Sequence, residues 1–114
     1  MARSAEAVVR AHLDAFNRGD VAALLHTLTP DAFFMTATRQ VDPAEFPSFF
    51  GDAIAAFAPH LTYGPLLTSG DEVACQLLEE VTIDGRRREY PKAAFYRVTD
   101  GGITWAKIYW EGAN

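Results

Sequence analysis

The chain has 114 residues, a formal net charge of −5 at pH 7 and one cysteine, Cys75. This length predicts a single domain over residues 1–114, close to the size at which a second copy often adds buried surface, so we expect a homodimer. The acidic charge, with Arg86, Arg87 and Arg88 as the one basic cluster, argues against a nucleic-acid partner, and a single cysteine excludes an internal disulfide bond.

The sequence pattern also argues against a membrane or secreted protein. No segment approaches the roughly 18 apolar residues of a membrane span. Glu6, Arg10 and Asp14 interrupt the N-terminal stretch in which a signal peptide would have its apolar core. We therefore expect a reducing, cytoplasmic setting and no membrane partner.

The first 27 residues predict two helices. Apolar positions recur at helical spacing through residues 5–17, with polar residues on the opposite side. Gly19 ends this helix, and Asp20 is suited to cap a short second helix over residues 21–27. The apolar stripe of the first helix consists of Val8, Val9, His12, Leu13 and Phe16.

The next segment predicts a strand, a helix and an interrupted strand. Residues 29–31 (Thr-Pro-Asp) break the helical pattern, and residues 32–38 predict a short strand. Residues 42–45 (Asp-Pro-Ala-Glu) have the form of a capping box with proline at the first helical position, which indicates a third helix. Residues 61–68 predict a bent or edge strand because Gly64-Pro65 interrupts them. The third helix carries Phe46, Phe49, Phe50, Ile54 and Phe57.

The last third of the chain predicts a three-stranded antiparallel meander. Its β-rich runs are residues 73–83, 87–99 and 103–110, joined by Asp84-Gly85 and by residues 100–102 (Asp-Gly-Gly). Asp-Gly between alternating apolar runs is a strong hairpin signal, since the favoured turn needs positive φ at both central residues. With two-residue loops, Ile83 pairs with Arg86 and Thr99 with Gly102, which sets the side-chain parity of all three strands.

This parity divides the meander into two faces. Glu79 is the one polar residue among apolar neighbours on its face of the first strand, so it is a candidate functional acid with a raised pKa. A bulge in the first hairpin would expose Glu79 and bury Glu80 instead, and both alternatives stay open. Lys92 also falls on the Glu79 face. The candidates there are Leu77, Tyr96, Trp105, Lys107, Tyr109 and Glu111.

The opposite face of the meander is apolar. Such a patch on the outer side of a sheet marks a subunit interface more often than a ligand site, so we expect a homodimer through this face. The residues of this patch are Leu78, Phe95, Ile108 and Trp110. Helices first and strands later indicate an α+β domain, in which a curved, mainly antiparallel sheet closed on one side by three helices forms a cone with a ligand-sized mouth.

Three short motifs give the chain a family resemblance. They are residues 11–20 (Ala-His-Leu-Asp-Ala-Phe-Asn-Arg-Gly-Asp), residues 28–32 (Leu-Thr-Pro-Asp-Ala) and the Asp-Gly-Gly-Ile before the last strand. With them the chain resembles the nuclear transport factor 2-like superfamily, in its SnoaL-like polyketide cyclase and ketosteroid isomerase branch. The resemblance implies a conical α+β barrel with a mostly apolar pocket, commonly in a homodimer. Members include isomerases, cyclases, dehydratases and epoxide hydrolases, so the fold alone does not name a reaction.

The ketosteroid isomerase pattern carries over poorly. By this resemblance His12 stands where that enzyme has its oxyanion-hole tyrosine, Thr36 stands in place of the general-base aspartate, and Ala93 or Ala94 in place of the second acid. This argues against a steroid isomerase. The cyclase branch often ends its last strand with an acid after an aromatic pair, and Glu111 after Tyr109 and Trp110 occupies that place, which makes Glu111 a candidate catalytic residue.

His12 has two interpretations. A lone histidine on a buried stripe is often a core residue whose ring nitrogens are satisfied locally. The family resemblance instead places a working polar group at this position, where a neutral imidazole would exchange a proton near pH 7. Tyr96 and Tyr109 would donate hydrogen bonds to a ligand oxygen.

Two functions compete at this point. The first is a cofactor-free acid–base enzyme of isomerase, cyclase or dehydratase type, acting on an apolar, carbonyl-bearing or polycyclic substrate. The second is a non-catalytic module for small-molecule binding or dimerisation. We expect no cofactor and no metal, with His12, Glu79, Tyr109 and Glu111 as catalytic candidates. The predicted ligand-binding residues are Phe16, Phe34, Phe50, Ile54, Phe57, Leu77, Tyr96, Trp105 and Lys107.

Overall fold

The computed structural model describes residues 4–111, in which three helices and seven strands follow one another. The helices are α1 (Ala5–Arg18), α2 (Val21–Leu25) and α3 (Phe46–Phe57), and a short 3₁₀ turn, Pro43–Glu45, precedes α3. The strands are β1 (Leu28–Thr36), β2 (Arg39–Val41), β3 (His60–Tyr63), β4 (Leu67–Ser69), β5 (Glu72–Ile83), β6 (Arg86–Thr99) and β7 (Gly102–Trp110). Within this part of the chain, no helix is both long and apolar enough to cross a membrane.

One mixed sheet contains all seven strands. Its order is β2-β1-β7-β6-β5-β3. Strand β4 pairs with residues 72–74 of β5, on the same edge that β3 occupies at residues 77–80. Neighbours are antiparallel except β1 and β7, which run parallel. Helix α1 packs against β3, β5, β6 and β7, and α3 packs against β5. The α+β class predicted from the element order, with three helices on a large curved sheet, is confirmed.

Local signals set the limits of α1. The Ser4 hydroxyl accepts a hydrogen bond from the Ala7 amide at 3.1 Å, and Gly19 ends the helix in the left-handed conformation at φ 69°. Both are standard solutions for the unpaired groups at helix ends. The predicted stripe is buried through Val8, Val9, His12 and Leu13. This helix therefore presents His12 to the interior of the domain.

The region after α1 differs from the predicted boundaries. Asp20 caps α2 as expected, accepting from the Ala23 amide at 3.0 Å. However, α2 ends at Leu25, and β1 starts at Leu28 rather than residue 32. The reason is long-range, because Leu28 pairs with Ile103 of β7. The predicted break at residues 29–31 appears as an irregular register between Leu28 and Phe33.

Helix α3 begins near the predicted signal. The Asp42 carboxylate accepts from the Ala44 amide at 2.9 Å and starts the 3₁₀ turn. Glu45 does not complete a capping box, since its carboxylate lies 3.7 Å from the Arg39 guanidinium instead. The interrupted segment before β5 forms two short edge strands, β3 and β4, separated at Gly64-Pro65 as predicted. The aromatic residues of α3 and β1 pack edge to face: Phe34, Phe46, Phe49 and Phe50.

The first hairpin of the meander confirms the predicted parity. Ile83 pairs with Arg86 across the turn, and Asp84 and Gly85 have φ values of 52° and 77°. Positive φ at both positions is what the favoured two-residue turn requires. The register continues without a bulge to the pair of Glu79 and Tyr90. Glu79, and not Glu80, therefore faces the helices.

The second hairpin has the predicted turn but a different register beyond it. Thr99 pairs with Gly102 and Val98 with Ile103, but Arg97 then pairs with Trp105, so Thr104 is an extra residue on β7. Its hydroxyl donates to the Arg97 carbonyl oxygen at 3.3 Å. Such a bulge moves every later side chain to the other face of the sheet. The predicted faces of the last strand are therefore wrong beyond Ile103.

Candidate functional site

An apolar cavity of about 460 Å³ lies between the helices and the inner face of the sheet. Its inner end is lined by buried residues such as Phe34, Phe50 and Leu77, whereas Arg39, Phe57 and Trp110 are exposed and mark its opening. The wall also carries polar or titratable side chains, which concern its chemistry: His12, Thr36, Arg39, Glu79, Tyr90, Lys92 and Tyr96. The cavity is therefore suited to a largely apolar molecule, and few of its groups can hydrogen-bond to a polar atom of the ligand.

His12 forms the inner polar end together with Thr27. Its Nδ1 lies 2.8 Å from the Thr27 hydroxyl, and that hydroxyl donates to the Leu24 carbonyl oxygen at 2.6 Å. Since the hydroxyl proton is used on Leu24, the hydroxyl accepts from the His12 Nδ1–H. This assigns the proton to Nδ1 and leaves Nε2 as a hydrogen-bond acceptor.

Burial keeps the His12 ring neutral. Loss of hydration lowers the pKa of His12 from 6.5 to about 4. The expectation that this imidazole exchanges a proton near pH 7 is therefore wrong. Burial removes water from the ring, and this loss of hydration disfavours its charged form. At neutral pH the ring can accept a hydrogen bond from a ligand but is a weak base.

Tyr96 stands beside His12 in the same wall. The two ring centres are 5.9 Å apart with their planes at 63°, and Phe50 meets the imidazole at 6.2 Å from the other side. Burial raises the pKa of the Tyr96 hydroxyl, so it is a proton-bearing donor at any physiological pH. Among residues 4–111 no side-chain oxygen or nitrogen is fully enclosed without a partner. Tyr96 is one of the residues that line the cavity.

Glu79 and Lys92 form an ion pair in the cavity wall. The Lys92 ammonium donates to Glu79 Oε1. The Glu79 side chain is 14% exposed and the Lys92 side chain is 7% exposed. The Lys92 nitrogen also lies 3.6 Å from the centre of the Trp110 ring, a cation–π contact. Burial lowers the pKa of Lys92, and the neighbouring Glu79 carboxylate opposes that effect.

The Trp110 indole is held in place by a second contact. Its Nε1–H donates to the Thr36 hydroxyl of β1 at 2.7 Å, and its ring lies 6.1 Å from that of Tyr90. Tyr90 stands opposite Glu79 across the first hairpin. The Glu79–Lys92 ion pair thus has aromatic neighbours on two strands, Tyr90 on β6 and Trp110 on β7.

The ion pair and the His12–Tyr96 pair lie at different parts of the cavity. Lys92 and Tyr96 are four residues apart on the same face of β6. At the rise of an extended strand, this separates their Cα atoms by about 13 Å. His12 and Glu79 therefore share a cavity, but they do not form a hydrogen-bonded acid–base couple.

The bulge at Thr104 places several predicted site residues outside the cavity. Trp105, Lys107 and Tyr109 lie on the outer face of the sheet, where Lys107 is 5.0 Å from the Tyr109 ring centre. Ile108 and Trp110, predicted for a subunit interface, line the cavity instead. All five predictions of orientation are wrong for the same reason, the reversed parity of β7.

Two further candidates also lie elsewhere. Glu111 is exposed beyond the end of β7, and its amide donates to the Pro91 carbonyl oxygen. Ile54 of α3 is not part of the wall, because its methyl group packs near Gly19. The predicted ligand-binding residues that do line the cavity are Phe16, Phe34, Phe50, Phe57, Leu77 and Tyr96.

Sequence reasoning overlooked other wall residues. The parity of the first hairpin placed Lys92 on the Glu79 face, but Lys92 was not among the predicted site residues. Arg39 lies at the opening, 5.2 Å from the Phe49 ring centre, on a strand too short and polar to be predicted. Within residues 4–111, no three His, Cys, Asp or Glu side chains group closely enough to hold a metal ion.

Residues 9–106 match the SnoaL-like domain family, so the chain belongs to that family. This match covers most of the sequence and agrees with the cone-like α+β fold. None of the curated proteins matches the sequence. The match supports a fold family associated with small-molecule binding and identifies no reaction for this chain.

Solved structures with the same fold include proteins of different activity. A proposed polyketide cyclase from Xanthomonas campestris pv. campestris is 25% identical, with a TM-score of 0.86 over 94% of this chain and 90% of that one. A Catenulispora acidiphila protein with a ketosteroid isomerase-like fold, in complex with trimethylamine, is 19% identical, with a TM-score of 0.81 over 92% and 85%. An epoxide hydrolase from M. tuberculosis is 16% identical, with a TM-score of 0.85 over 94% and 82%.

Proposed function

We propose that the chain binds a small, largely apolar molecule that bears a carbonyl group, and that it moves protons on this molecule without a cofactor. The reaction would be an isomerisation, a cyclisation or a dehydration. One observation carries this proposal: the Glu79–Lys92 ion pair is nearly buried in the wall of a largely apolar cavity. Such a pair costs desolvation free energy, and an apolar pair of similar volume would serve the fold equally well or better.

Glu79 is the proposed general base. A carboxylate held in an apolar cavity is poorly hydrated, so it removes a proton from carbon more readily than a carboxylate in water. The Lys92 ammonium donates a hydrogen bond to Glu79 and compensates its charge. Tyr90, across the hairpin from Glu79, is the nearest phenol on the same strand pair for a developing oxyanion.

The inner end of the cavity would orient the ligand. The Tyr96 hydroxyl is a donor, and His12 Nε2 is an acceptor, so together they suit a ligand hydroxyl or a second oxygen function. A molecule that contacts both this end and Glu79 must span much of the distance between Tyr96 and Lys92. Fused or linked rings have that length, and the similarity to a proposed polyketide cyclase supports this choice.

The test is exchange of carbon-bound hydrogen for deuterium in D₂O. We would incubate the protein with 2-tetralone and other bicyclic ketones and follow loss of the α-proton signal by NMR. Wild type is expected to accelerate exchange, and Glu79→Gln to reduce the rate by about 100-fold, as for removal of a general base. Glu80→Gln is the matched control, since Glu80 is the next residue on the outer face of the same strand. Equal rates for wild type and Glu79→Gln would refute the proposal.

A non-catalytic binding module is the second candidate. The observation in its favour is the neutral His12 ring, whose pKa of about 4 makes it an acceptor for ligand hydrogen bonds and not a working base. This candidate predicts that the same ketones bind, with chemical-shift changes at Phe50 and Tyr96, while no hydrogen exchange occurs above the buffer rate. The exchange experiment therefore separates the two functions.

We also propose a homodimer through the outer face of the sheet, with corrected residues. Phe95 and Tyr109 are 44% and 47% exposed and pack edge to face with ring centres 5.7 Å apart. Exposed aromatic pairs of this kind are typical of subunit contacts. Sedimentation equilibrium of wild type and Phe95→Glu would test it, and a monomeric wild type would contradict it.

A further inference from the structure

The chain has two lysines, and they lie on opposite faces of the sheet. Lys107 is on the outer face of β7, beside Tyr109. Lys92 is on the inner face of β6, and its side chain is 7% exposed. The amine of Lys92 lies at the cavity wall, between the Glu79 carboxylate and the Trp110 ring. The reactivity of the outer Lys107 is therefore an internal reference for the reactivity of Lys92.

The surroundings of Lys92 suit a nucleophile as well as a charge partner. A lysine in apolar surroundings holds its proton less strongly than one in water, which raises the fraction of free amine. The Glu79 carboxylate touches the amine and can take up its proton. The cavity wall is largely apolar, and it would bring an apolar ligand against this amine.

We propose that Lys92 is a nucleophile that condenses with the carbonyl group of the ligand and forms an imine inside the cavity. This inference rests on the proposed function in one respect, namely that the ligand carries a carbonyl group. It does not require Glu79 to act as a base toward carbon.

The condensation balances with the groups present. Glu79 takes a proton from the Lys92 ammonium, and the amine nitrogen attacks the carbonyl carbon. A carbon–nitrogen bond forms while the carbonyl π pair moves to oxygen, which receives the proton back from Glu79. The nitrogen of this carbinolamine then returns a proton to Glu79, and Glu79 delivers it to the hydroxyl as the carbon–oxygen bond breaks. An ammonium and a carbonyl thus become an iminium and one water molecule, with charge conserved.

The iminium would sit in the place of the present ammonium. The Trp110 ring face, now 3.6 Å from the Lys92 nitrogen, would then face the positive C=N group. An iminium draws electrons from the neighbouring carbon, so it makes the α-proton more acidic than the parent carbonyl does. The Glu79 carboxylate, already in contact with Lys92, would be close to that proton.

Reductive trapping tests this proposal on the whole chain. The protein is incubated with 2-naphthaldehyde and sodium cyanoborohydride, which reduces an iminium to a stable secondary amine, and modification at each lysine is measured by peptide mass spectrometry. Lys92 is expected to react about tenfold faster than Lys107 despite its burial, because the cavity holds the aldehyde next to the amine. Excess naphthalene, an apolar analogue without a carbonyl group, is expected to protect Lys92 and not Lys107.

Variants sharpen the result. Lys92→Met should lose the fast modification, and Lys107→Met, a surface control, should retain it. If Lys92→Met fails to fold, the ratio of the two lysines in wild type still decides the question. A Lys92 rate equal to or below that of Lys107, or no protection by naphthalene, overturns the proposal. Deuterium exchange without trapping at Lys92 would leave the proposed acid–base function intact and remove only the imine, whereas trapping without exchange would do the reverse.

Discussion

The Lys92 nitrogen lies 3.6 Å from the centre of the Trp110 ring, and this contact exists because Thr104 is an extra residue on β7. If Thr104 were kept but paired as in a regular strand, Trp110 would point away from the sheet face that carries Lys92. The bulge also places Ala106 and Ile108 inside, where they are 0% and 7% exposed. One irregular residue therefore determines which β7 side chains form the cavity.

Removal of one member of the Glu79–Lys92 ion pair should destabilise the protein more than removal of both. Glu79→Leu alone leaves Lys92 without its carboxylate, and Lys92→Met alone leaves Glu79 unpaired, so each single change is expected to cost about 3 kcal/mol in the free energy of unfolding. The double variant should recover most of that loss, because both charges are then gone. Urea unfolding of the four proteins gives the coupling energy. Costs that simply add would show that the two side chains do not interact.

The pH dependence of stability should reveal the buried His12. Its folded pKa of about 4 lies below the 6.5 of the unfolded chain, so between these values the unfolded state binds more protons. The His12 contribution is complete above pH 6.5 and is lost as pH falls toward 4, at up to about 1.4 kcal/mol per pH unit. Urea unfolding from pH 4 to 8 should show this slope in wild type and not in His12→Gln.

A matched control for that experiment is His26→Gln, which removes an exposed histidine and keeps His12. This variant should retain the steep decline below pH 6.5. If His12→Gln declines as steeply as wild type over the same range, the assignment of the slope to His12 fails.

A side chain at Gly102 should destabilise the fold because this residue closely approaches β1. A Cβ atom there would lie 2.9 Å from Thr29 Cγ2, nearer than real contacts allow. Gly102→Ala is therefore expected to lower stability by about 1–3 kcal/mol, as overpacking does. Adding Thr29→Ser removes the clashing methyl group and should restore part of the loss.

Gly51 in α3 provides the opposite case. A Cβ atom at this position meets nothing within 4 Å. Gly51→Ala should raise stability by about 0.5–1 kcal/mol, since alanine is the better helix former. Thermal unfolding of both alanine variants tests the contrast, and a loss at Gly51 equal to that at Gly102 would contradict it.

Asn17 should be important for the position of β3. Its side-chain amide accepts from the Leu61 amide at 2.7 Å and donates to the Leu61 carbonyl oxygen at 2.8 Å. Asn17→Ala leaves both partly buried backbone groups without a partner and is expected to cost about 1–3 kcal/mol. Hydrogen exchange should accelerate at the Leu61 amide. Thr62→Ala, a change at the exposed neighbour, should leave that amide protected.

Much of the fold followed from local signals. These signals act over a few residues, so they can be predicted from the sequence. They are the caps at Asp20 and Asp42, the helix end at Gly19 and the Asp84-Gly85 turn. The correct parity of the first hairpin followed from its turn, and with it the inward orientation of Glu79.

The bulge at Thr104 had no such signal. It accompanies an irregular register in the parallel pairing of β1 with β7, where Leu28 meets Ile103 but Phe33 meets Trp105. Outside the cavity, Phe33 and Trp105 stack at 6.1 Å. These contacts join residues more than 70 positions apart, which a pattern of alternation along one strand cannot reveal. The wrong orientation of Lys107 and Tyr109 follows from this.

The extra residue at position 104 also has a genetic meaning. In the gene it is one codon, and its loss would leave a regular strand in which Trp105 directly follows Ile103. Alternation from Ile103 would then keep Ala106, Ile108 and Trp110 on the inner face and leave Trp105, Lys107 and Tyr109 outside, as they are now. In such a sheet, the bulge absorbs a length difference of three nucleotides without altering the side chains that β7 offers to the ligand.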